Sequence, residues 1–407
     1  MQIFISTGEV SGDLQGSLLV AALKLQAQKQ NIALEIVALG GDRMAAAGAN
    51  LLDNTTAIGS MGLLESLPFV WPTLKIQRRA KAYLRQNPPD LLVLIDYLGP
   101  NLAIGSYVRQ YLPKVPIVYY IAPQDWVWTP LLEKSDRKWL RKFTNRILTQ
   151  NTKQLVKIVD RILAIFPAEA SFFREKGASV SWIGHPLLDR MQLAPSREES
   201  RQQLGIEPDK LAIALLPASR QQELKYLLPV ICEAAKQIQV KLPQVHFWIP
   251  VSLATYGQTI AAAVREYGLQ ATLLEGKTLE AIASADLAIT KSGTVNLEIA
   301  LLNVPQVVLY RLNPMTMWIA RHLFNFSIPF MSPPNLVMMQ PIVPELFQEE
   351  ATPEQIVKES LALLLDLERR QQTLIDYAQM RSQLGEVGVC DRAAIEILEL
   401  ANRIKSD

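Results

Sequence analysis

The sequence predicts an α/β protein: two Rossmann-like, doubly wound domains facing a cleft, followed by a helical C-terminal tail. Three observations predict it. Short apolar runs alternate with helix-length segments from the first residues onward, the pattern of strands joined by crossover helices. The run Asp90–Asp96, Asp-Leu-Leu-Val-Leu-Ile-Asp, is apolar without interruption between its carboxylates, as expected of a parallel strand covered on both faces. The alternation then stops in the polar stretch 194–210, where Pro208-Asp209 marks a turn, and starts again after it. A length of 407 residues suits two domains.

Each element follows in order. Gln2 to Ser6 is a short apolar strand, Gly12 to Leu25 has helical spacing, and Leu34 to Leu39 is a second strand running into Gly40-Gly41. After Asp90–Asp96 come strands at Val115 to Ile121, Ile162 to Phe166 and Val180 to Ile183, the last before the Gly184-His185-Pro186 turn. Beyond the boundary, strands are predicted at Leu211 to Leu216, Val245 to Pro250, Ala271 to Leu274, Leu287 to Thr290 and Val304 to Leu309, with a helix at about Gln222 to Lys241. The domains therefore read as 1–193, a linker 194–210, 211–351, and a helix-rich tail 352–407 that could pack back on the first domain.

Composition excludes several function classes. Forty-one Lys and Arg against 39 Asp and Glu leave a formal charge of +2, so the chain as a whole is no nucleic-acid binder by charge. Cys232 and Cys390 are too few for a disulfide framework or a four-thiolate zinc site and suit a reducing compartment. Three scattered histidines and the lack of an Asp-x-Asp pair argue against a metal, and no cofactor is expected. The N-terminus starts as a strand without a secretory leader, which predicts a cytoplasmic protein. No stretch reaches the roughly 18 apolar residues of a spanning helix.

Chemistry is expected at strand C-termini, where parallel sheets bind ligands. Ser6-Thr7-Gly8-Glu9-Val10-Ser11-Gly12-Asp13 places two glycines and small polar residues between strand and helix, so its N–H groups could face an anion or a sugar. The alternative is a tight turn with Ser11 or Asp13 as helix N-cap. Asp96 ends the clearest strand, and a carboxylate on that rim could take a proton from an attacking hydroxyl; otherwise it caps or braces the loop. Thr290-Lys291-Ser292-Gly293-Thr294-Val295-Asn296-Leu297-Glu298 offers hydroxyls and N–H groups to a diphosphate, with Glu298 in reach of ribose hydroxyls, or else a Thr294–Glu298 capping box.

These segments occur in one order with Leu94-Ile95-Asp96, Ala122-Pro123-Gln124-Asp125-Trp126-Val127-Trp128, Gly184-His185-Pro186-Leu187-Leu188-Asp189, Leu215-Leu216-Pro217-Ala218-Ser219-Arg220, Tyr310-Arg311, Pro334-Asn335-Leu336 and Val343-Pro344-Glu345-Leu346. Over nearly the whole chain the set resembles the lipid-A-disaccharide synthase family of lipopolysaccharide assembly. The resemblance implies a glycosyltransferase B architecture with the nucleotide held mainly by the second domain. It implies an inverting transfer from UDP-2,3-diacylglucosamine to the 6-hydroxyl of 2,3-diacylglucosamine 1-phosphate. Asp96 matches the family's proposed catalytic aspartate, with Glu9 and Asp13 orienting it or lining the acceptor side. Gly8, Ser11, Gly12, Trp126, Trp128 and His185 fall on that side too, although a structural role suits His185 before Pro186. Arg220, Ser292, Gly293, Thr294 and Asn335 are expected on the UDP diphosphate and Glu298 on the ribose. Val295-Asn296 departs from the smaller residues that usually follow Ser-Gly-Thr, and Leu98-Gly99-Pro100-Asn101 lacks the family's usual second Asp.

Acylated substrates require a membrane surface. Three segments suit one, at the cytoplasmic face of the inner membrane: the apolar stretch 59–75, the nine basic residues between Leu132 and Arg161, and 315–339, which holds five of the ten methionines. A homodimer is compatible with the tail. Two other readings compete: a related UDP-sugar transferase or epimerase with a changed acceptor, and a non-catalytic lipid or nucleotide binder at the membrane surface.

Overall fold

The computed structural model describes residues 1–56, 70–123, 126, 150–218, 221–311 and 330–406. The chain forms two compact units, Met1–Asp189 together with the chain from Leu384 onward, and Arg190–Gln383.

The first unit is built on a seven-stranded sheet in the order β3-β2-β1-β4-β5-β6-β7. Its strands are β1 (Gln2–Ser6), β2 (Glu35–Gly40), β3 (Asn50–Asn54), β4 (Leu91–Ile95), β5 (Ile117–Tyr120), β6 (Arg161–Ala164) and β7 (Val180–Trp182). Every pairing is parallel. The continuous apolar run does mark a doubly covered strand, since all five residues of β4 are wholly buried. Burying five such side chains stabilises by about 1.5–3 kcal/mol each before entropy is counted. The helices are α1 (Glu9–Lys29), α2 (Asp42–Ala46), α3 (Val70–Gln86), α4 (Leu98–Tyr111), α5 (Pro167–Glu175) and α6 (Leu187–Met191), the last running two residues into the second unit. Strand β3 escapes the hydrophobic pattern because Asn-Leu-Leu-Asp-Asn is short and polar at both ends.

The second unit carries a six-stranded sheet in the order β10-β9-β8-β11-β12-β13, again parallel throughout. Its strands are β8 (Leu211–Leu216), β9 (Val245–Val251), β10 (Ala271–Glu275), β11 (Leu287–Lys291), β12 (Gln306–Tyr310) and β13 (Glu345–Phe347). Around it lie α7 (Arg197–Leu204), α8 (Gln221–Lys241), α9 (Ala254–Tyr267), α10 (Thr278–Ala283), α11 (Val295–Leu301), α12 (Pro333–Met338), α13 (Pro353–Leu365) and α14 (Leu367–Gln383). The stretch 194–210, expected as a linker, contains α7 instead. Ser196 and Glu199 form its capping box and Gly205, at φ 68°, ends it. Arg197 and Arg201 pair with Asp286 at 2.6 and 3.8 Å, so the polar composition reflects a solvated helix anchored by its arginines.

The tail 352–407 is also divided. Helices α13 and α14 stay with the second unit, whereas α15 (Val389–Ser406) packs along α1 in the first. Asp189 accepts the N–H groups of Gly388, Val389 and Cys390 at 2.6, 3.2 and 2.7 Å and so caps α15. Gly184, at φ 89°, is required where Leu384 crosses it, because a methyl there would stand 2.9 Å from the Leu384 carbonyl oxygen.

In both sheets the strand order reverses beside the first strand. β1 lies between β2 and β4, and β8 between β9 and β11, so the loops leaving β1 and β4, and those leaving β8 and β11, stand at topological switch points.

Candidate functional site

The switch point of the first unit carries Asp96. Asp96 and Tyr97 have φ of 45° and 43°, a left-handed conformation that costs a non-glycine residue roughly 1–2 kcal/mol. Neighbouring groups hold it. Asn101 Nδ2 donates to the carbonyl oxygens of Ile95 and Asp96 at 3.0 and 2.8 Å, and the Tyr119 hydroxyl donates to the latter at 2.6 Å. The Asp96 N–H donates to Ile121 O at 3.1 Å, and Ile121 itself has φ of 61°. Ser6 Oγ donates to Asn101 Oδ1 at 2.8 Å, which links the end of β1 to the same turn. Asp96 as a residue is exposed, but the protein packed around its carboxyl strips away part of its water.

The glycine-rich loop meets that turn. The Tyr97 ring lies over Gly8, where a methyl would come within 2.5 Å of it. Glu9 has φ of 66° and begins α1, so neither Ser11 nor Asp13 caps this helix. Desolvation by the surrounding protein, then the negative charge of Glu9, push the Asp96 carboxyl up to about 6. Gly12 packs against Thr7, whose Oγ1 leaves no room for a Cβ, and Ser11 is half-buried. Asp13 serves elsewhere. Only 3% exposed, it accepts N–H groups of Gly41, Arg43 and Met44 and thereby caps α2. It braces the start of α2.

Glu169 and Tyr119 join the site without having stood out in the sequence, and Asn101, named there only as the end of the run after Asp96, joins it too. Glu169 is wholly buried and accepts N–H groups from Ala122, Ile165 and Phe166 at 2.9, 2.9 and 3.2 Å, tying the ends of β5 and β6 together. Burial pushes its carboxyl up to about 8, against those three donors. Its only sequence signal is Pro167 followed by an acid at the third helical position. His185 is 4% exposed and its pKa is lowered to about 3 by burial, so its ring is neutral; Nδ1 accepts the Leu187 N–H at 3.2 Å. The ring contacts Phe166, and Phe166 contacts Trp126, with centroids 5.4 and 5.7 Å apart. That fits a structural histidine. Trp128 lies outside the described residues, as do Arg220 and most of the apolar, basic and methionine-rich segments.

The switch point of the second unit carries Ser292-Gly293-Thr294, after β11. The structure brings these residues together but commits several of their donors. Ser292 donates its N–H to Leu309 O at 2.9 Å and its hydroxyl to Met331 O at 2.7 Å. The Gly293 N–H donates to Asn296 Oδ1 at 2.7 Å. Thr294 makes no side-chain cap and the alternative capping box with Glu298 does not form. Glu298, 5% exposed, pairs with Arg190 instead. Asn335 is 1% exposed, and its amide bonds to the backbone of Val343 and to Glu345 at 2.7–2.9 Å; it braces a loop rather than presenting a free amide. Glu345 also accepts from Met331 and Ser332. This loop borders a cavity of about 800 Å³ beside α14. Among the described residues no cluster of His, Cys, Asp or Glu has the makings of a metal site, and no helix is long and apolar enough to cross a membrane.

The family model described as Lipid-A-disaccharide synthetase matches residues 3–399. The chain belongs to the lipid-A-disaccharide synthase family. It is 64% identical over 399 residues to a lipid-A-disaccharide synthase of Gloeothece citriformis, covering 98% of this chain and 100% of that protein. It is 57% identical to one of Synechocystis, covering 99% and 98%, and 32% identical to one of Geobacter metallireducens, covering 99% and 98%. Solved structures share the fold: the UDP-bound MnaA of S. aureus, at TM-score 0.66 and 13% identity over 100% of this chain and 98% of that one, and MurG of Acinetobacter baumannii, at 0.54 and 16% over 98% and 99%. The lipid-A-disaccharide synthases are glycosyltransferases, and the two parallel-sheet units of this member are of glycosyltransferase B type.

Proposed function

We propose that the protein transfers the sugar of UDP-2,3-diacylglucosamine to the 6-hydroxyl of 2,3-diacylglucosamine 1-phosphate, giving a β-1,6 disaccharide and UDP. The match to the family over residues 3–399 carries the choice of substrates. The supporting geometry is the strained, clamped turn that presents Asp96.

In the reaction the acceptor hydroxyl gives its proton to the Asp96 carboxylate as its oxygen attacks the anomeric carbon. The bond from that carbon to the diphosphate breaks on the opposite face, UDP departs with the electron pair, and the centre inverts. A carboxyl raised to about 6 is ionised at neutral pH and is a stronger base than an ordinary aspartate, which supports the role. Glu9, beside it, sustains that basicity through its charge. Thr294, with Arg220, is the proposed diphosphate contact, Ser292 and Gly293 shape the turn beneath it, and Glu298, oriented by Arg190, is the ribose contact. Asn335 and Asp13 act by supporting loops.

Both substrates carry acyl chains, so the protein works at the cytoplasmic face of the inner membrane without spanning it. Helix α3 supports this: Val70, Trp71 and Leu74 are exposed, Trp71 by 75%, and Lys75, Arg78 and Arg79 follow them into solvent. Mixing both lipids with the enzyme in detergent should yield a disaccharide 1-phosphate by mass spectrometry together with UDP, each dependent on both substrates. UDP release without disaccharide would sink this assignment.

A further inference from the structure

Lys291 is the last residue of β11, one position before Ser292. Its side chain turns back over the loop: a methyl placed on Gly293 would stand 2.5 Å from Lys291 Nζ and 3.4 Å from Cε. The glycine therefore makes the space that the ammonium occupies. Nζ lies 3.8 Å from Glu223 Oε1, and the two side chains are only 14% and 17% exposed, so the charge is held in a restricted position. Asn296 fastens the same residue from the other side, its Nδ2 donating to Lys291 O at 3.2 Å while its Oδ1 takes the Gly293 N–H.

These contacts change what the loop can offer an anion. The Ser292 N–H, the Ser292 hydroxyl and the Gly293 N–H are donors that a small-residue turn would otherwise present, and all three are committed to Leu309, Met331 and Asn296. A primary ammonium stands over that turn, at the switch point between β8 and β11. We infer that Lys291 is a cation of the diphosphate subsite, binding the UDP phosphates in place of the backbone donors that Asn296 and its neighbours occupy. Resting on the assignment of this loop to UDP, the inference adds a residue that touches the leaving group. On binding, the ammonium exchanges Glu223 for phosphate oxygens, which carry the greater negative charge and offer several acceptors. During transfer it stabilises the charge that grows on the departing diphosphate.

The test is calorimetric titration of the full-length protein with UDP, UMP and uridine, for the wild type, Lys291→Met, Lys291→Gln and Lys291→Arg. Methionine keeps the stem and removes the charge, and glutamine provides a second neutral variant. Both should weaken UDP binding roughly 10- to 100-fold, the range of a lost charge-assisted hydrogen bond. UMP should weaken less and uridine not at all, and arginine should restore most of the affinity. The salt dependence of UDP binding should flatten in the neutral variants. Unchanged UDP affinity in folded Lys291→Met or Lys291→Gln overturns the proposal. So does an equal loss for UDP and uridine, which would mean a structural role. Failure of the wild type to bind UDP at all would refute the nucleotide assignment itself, and is distinguishable from both.

Discussion

Tyr119 donates its hydroxyl proton to the carbonyl oxygen of Asp96 across 2.6 Å, so a side chain of β5 pins the backbone turn at the end of its neighbour β4. Asn101 is the other donor to that oxygen. Removing the hydroxyl in Tyr119→Phe leaves one donor where there were two, at a cost of about 1 kcal/mol in stability. The larger effect is expected on the carboxylate of the proposed base, since small displacements of a reacting group reduce rate sharply. Turnover should fall roughly 10-fold while UDP affinity stays unchanged. Steady-state kinetics with parallel UDP titration checks this, and an equal loss in both would contradict it.

With Asp96 as the proposed base, the pH profile of turnover tests the assignment. A base works only when ionised, so turnover should rise through an apparent pKa of about 6 and level off above it. Glu9 raises that value by its negative charge, so Glu9→Gln should move the acid limb to lower pH. Asp96→Asn should abolish the limb and reduce turnover by about 100-fold or more, with UDP binding retained. A limb that stays in place when Glu9 is neutralised would show that another group titrates.

Stability carries the opposite sign. Because the folded carboxyl of Asp96 holds its proton up to about 6, against 3.8 ordinarily, folding is favoured by this residue below about pH 4 and loses that contribution as pH rises to 6. Asp96→Asn removes the penalty of keeping a charge there. Its Tm should therefore exceed that of the wild type at pH 7.5 and approach it at pH 4, a difference thermal melts can read.

Glu169 is a structural dependency of the same rim. Replacing it with alanine leaves the N–H groups of Ala122, Ile165 and Phe166 buried without their acceptor. At about 1–3 kcal/mol for each unsatisfied group, the unit should be destabilised by several kcal/mol. Denaturant titration of the soluble variant would show a shift of less than 1 kcal/mol only if water or another group takes over the three donors.

The C-terminal helix depends on Asp189 in a similar way. Three N–H groups at the start of α15 converge on that carboxylate. Asp189→Ala should cost about 1–2 kcal/mol, the usual range for losing a cap, and hydrogen exchange should quicken over residues 389–401. Unchanged exchange there would mean that packing against α1 alone holds the helix.

Much of the fold is legible because its signals are local. Continuous apolar runs such as Leu91–Ile95 and Leu211–Leu216 can be satisfied only in a doubly covered sheet, and the turns after β1, β7 and β11 carry Gly8, Gly184 and Gly293 where the backbone or a neighbour leaves no room for a side chain. The short strands Asn50–Asn54 and Glu345–Phe347 are not legible, since three to five residues at a sheet edge carry too little apolar pattern. The stretch 194–210 reads as a linker because a solvated helix and a linker share the same polar composition.

The candidate site divides along the same line. Asp96, Glu9, Ser292, Gly293, Thr294 and Glu298 can be picked out by sequence, because their strand-end positions and small-residue turns are written in consecutive letters. The division of labour among them is tertiary. Asp13 and Asn335 carry the same functional groups as a catalytic acid and a ligand-binding amide, yet backbone N–H groups dozens of residues away claim Asp13, and Val343 and Glu345 claim Asn335. Lys291 and Glu169 draw no notice as isolated letters and acquire roles only where the chain brings Gly293 beneath one and two strand ends onto the other. The sequence by itself determined the alternation of strand and helix and the family, since hydrophobic period and residue order are properties of the chain. Which polar group is free to act and which is consumed in support was decided by the tertiary structure, because hydrogen-bond partners and desolvation depend on residues far apart in sequence.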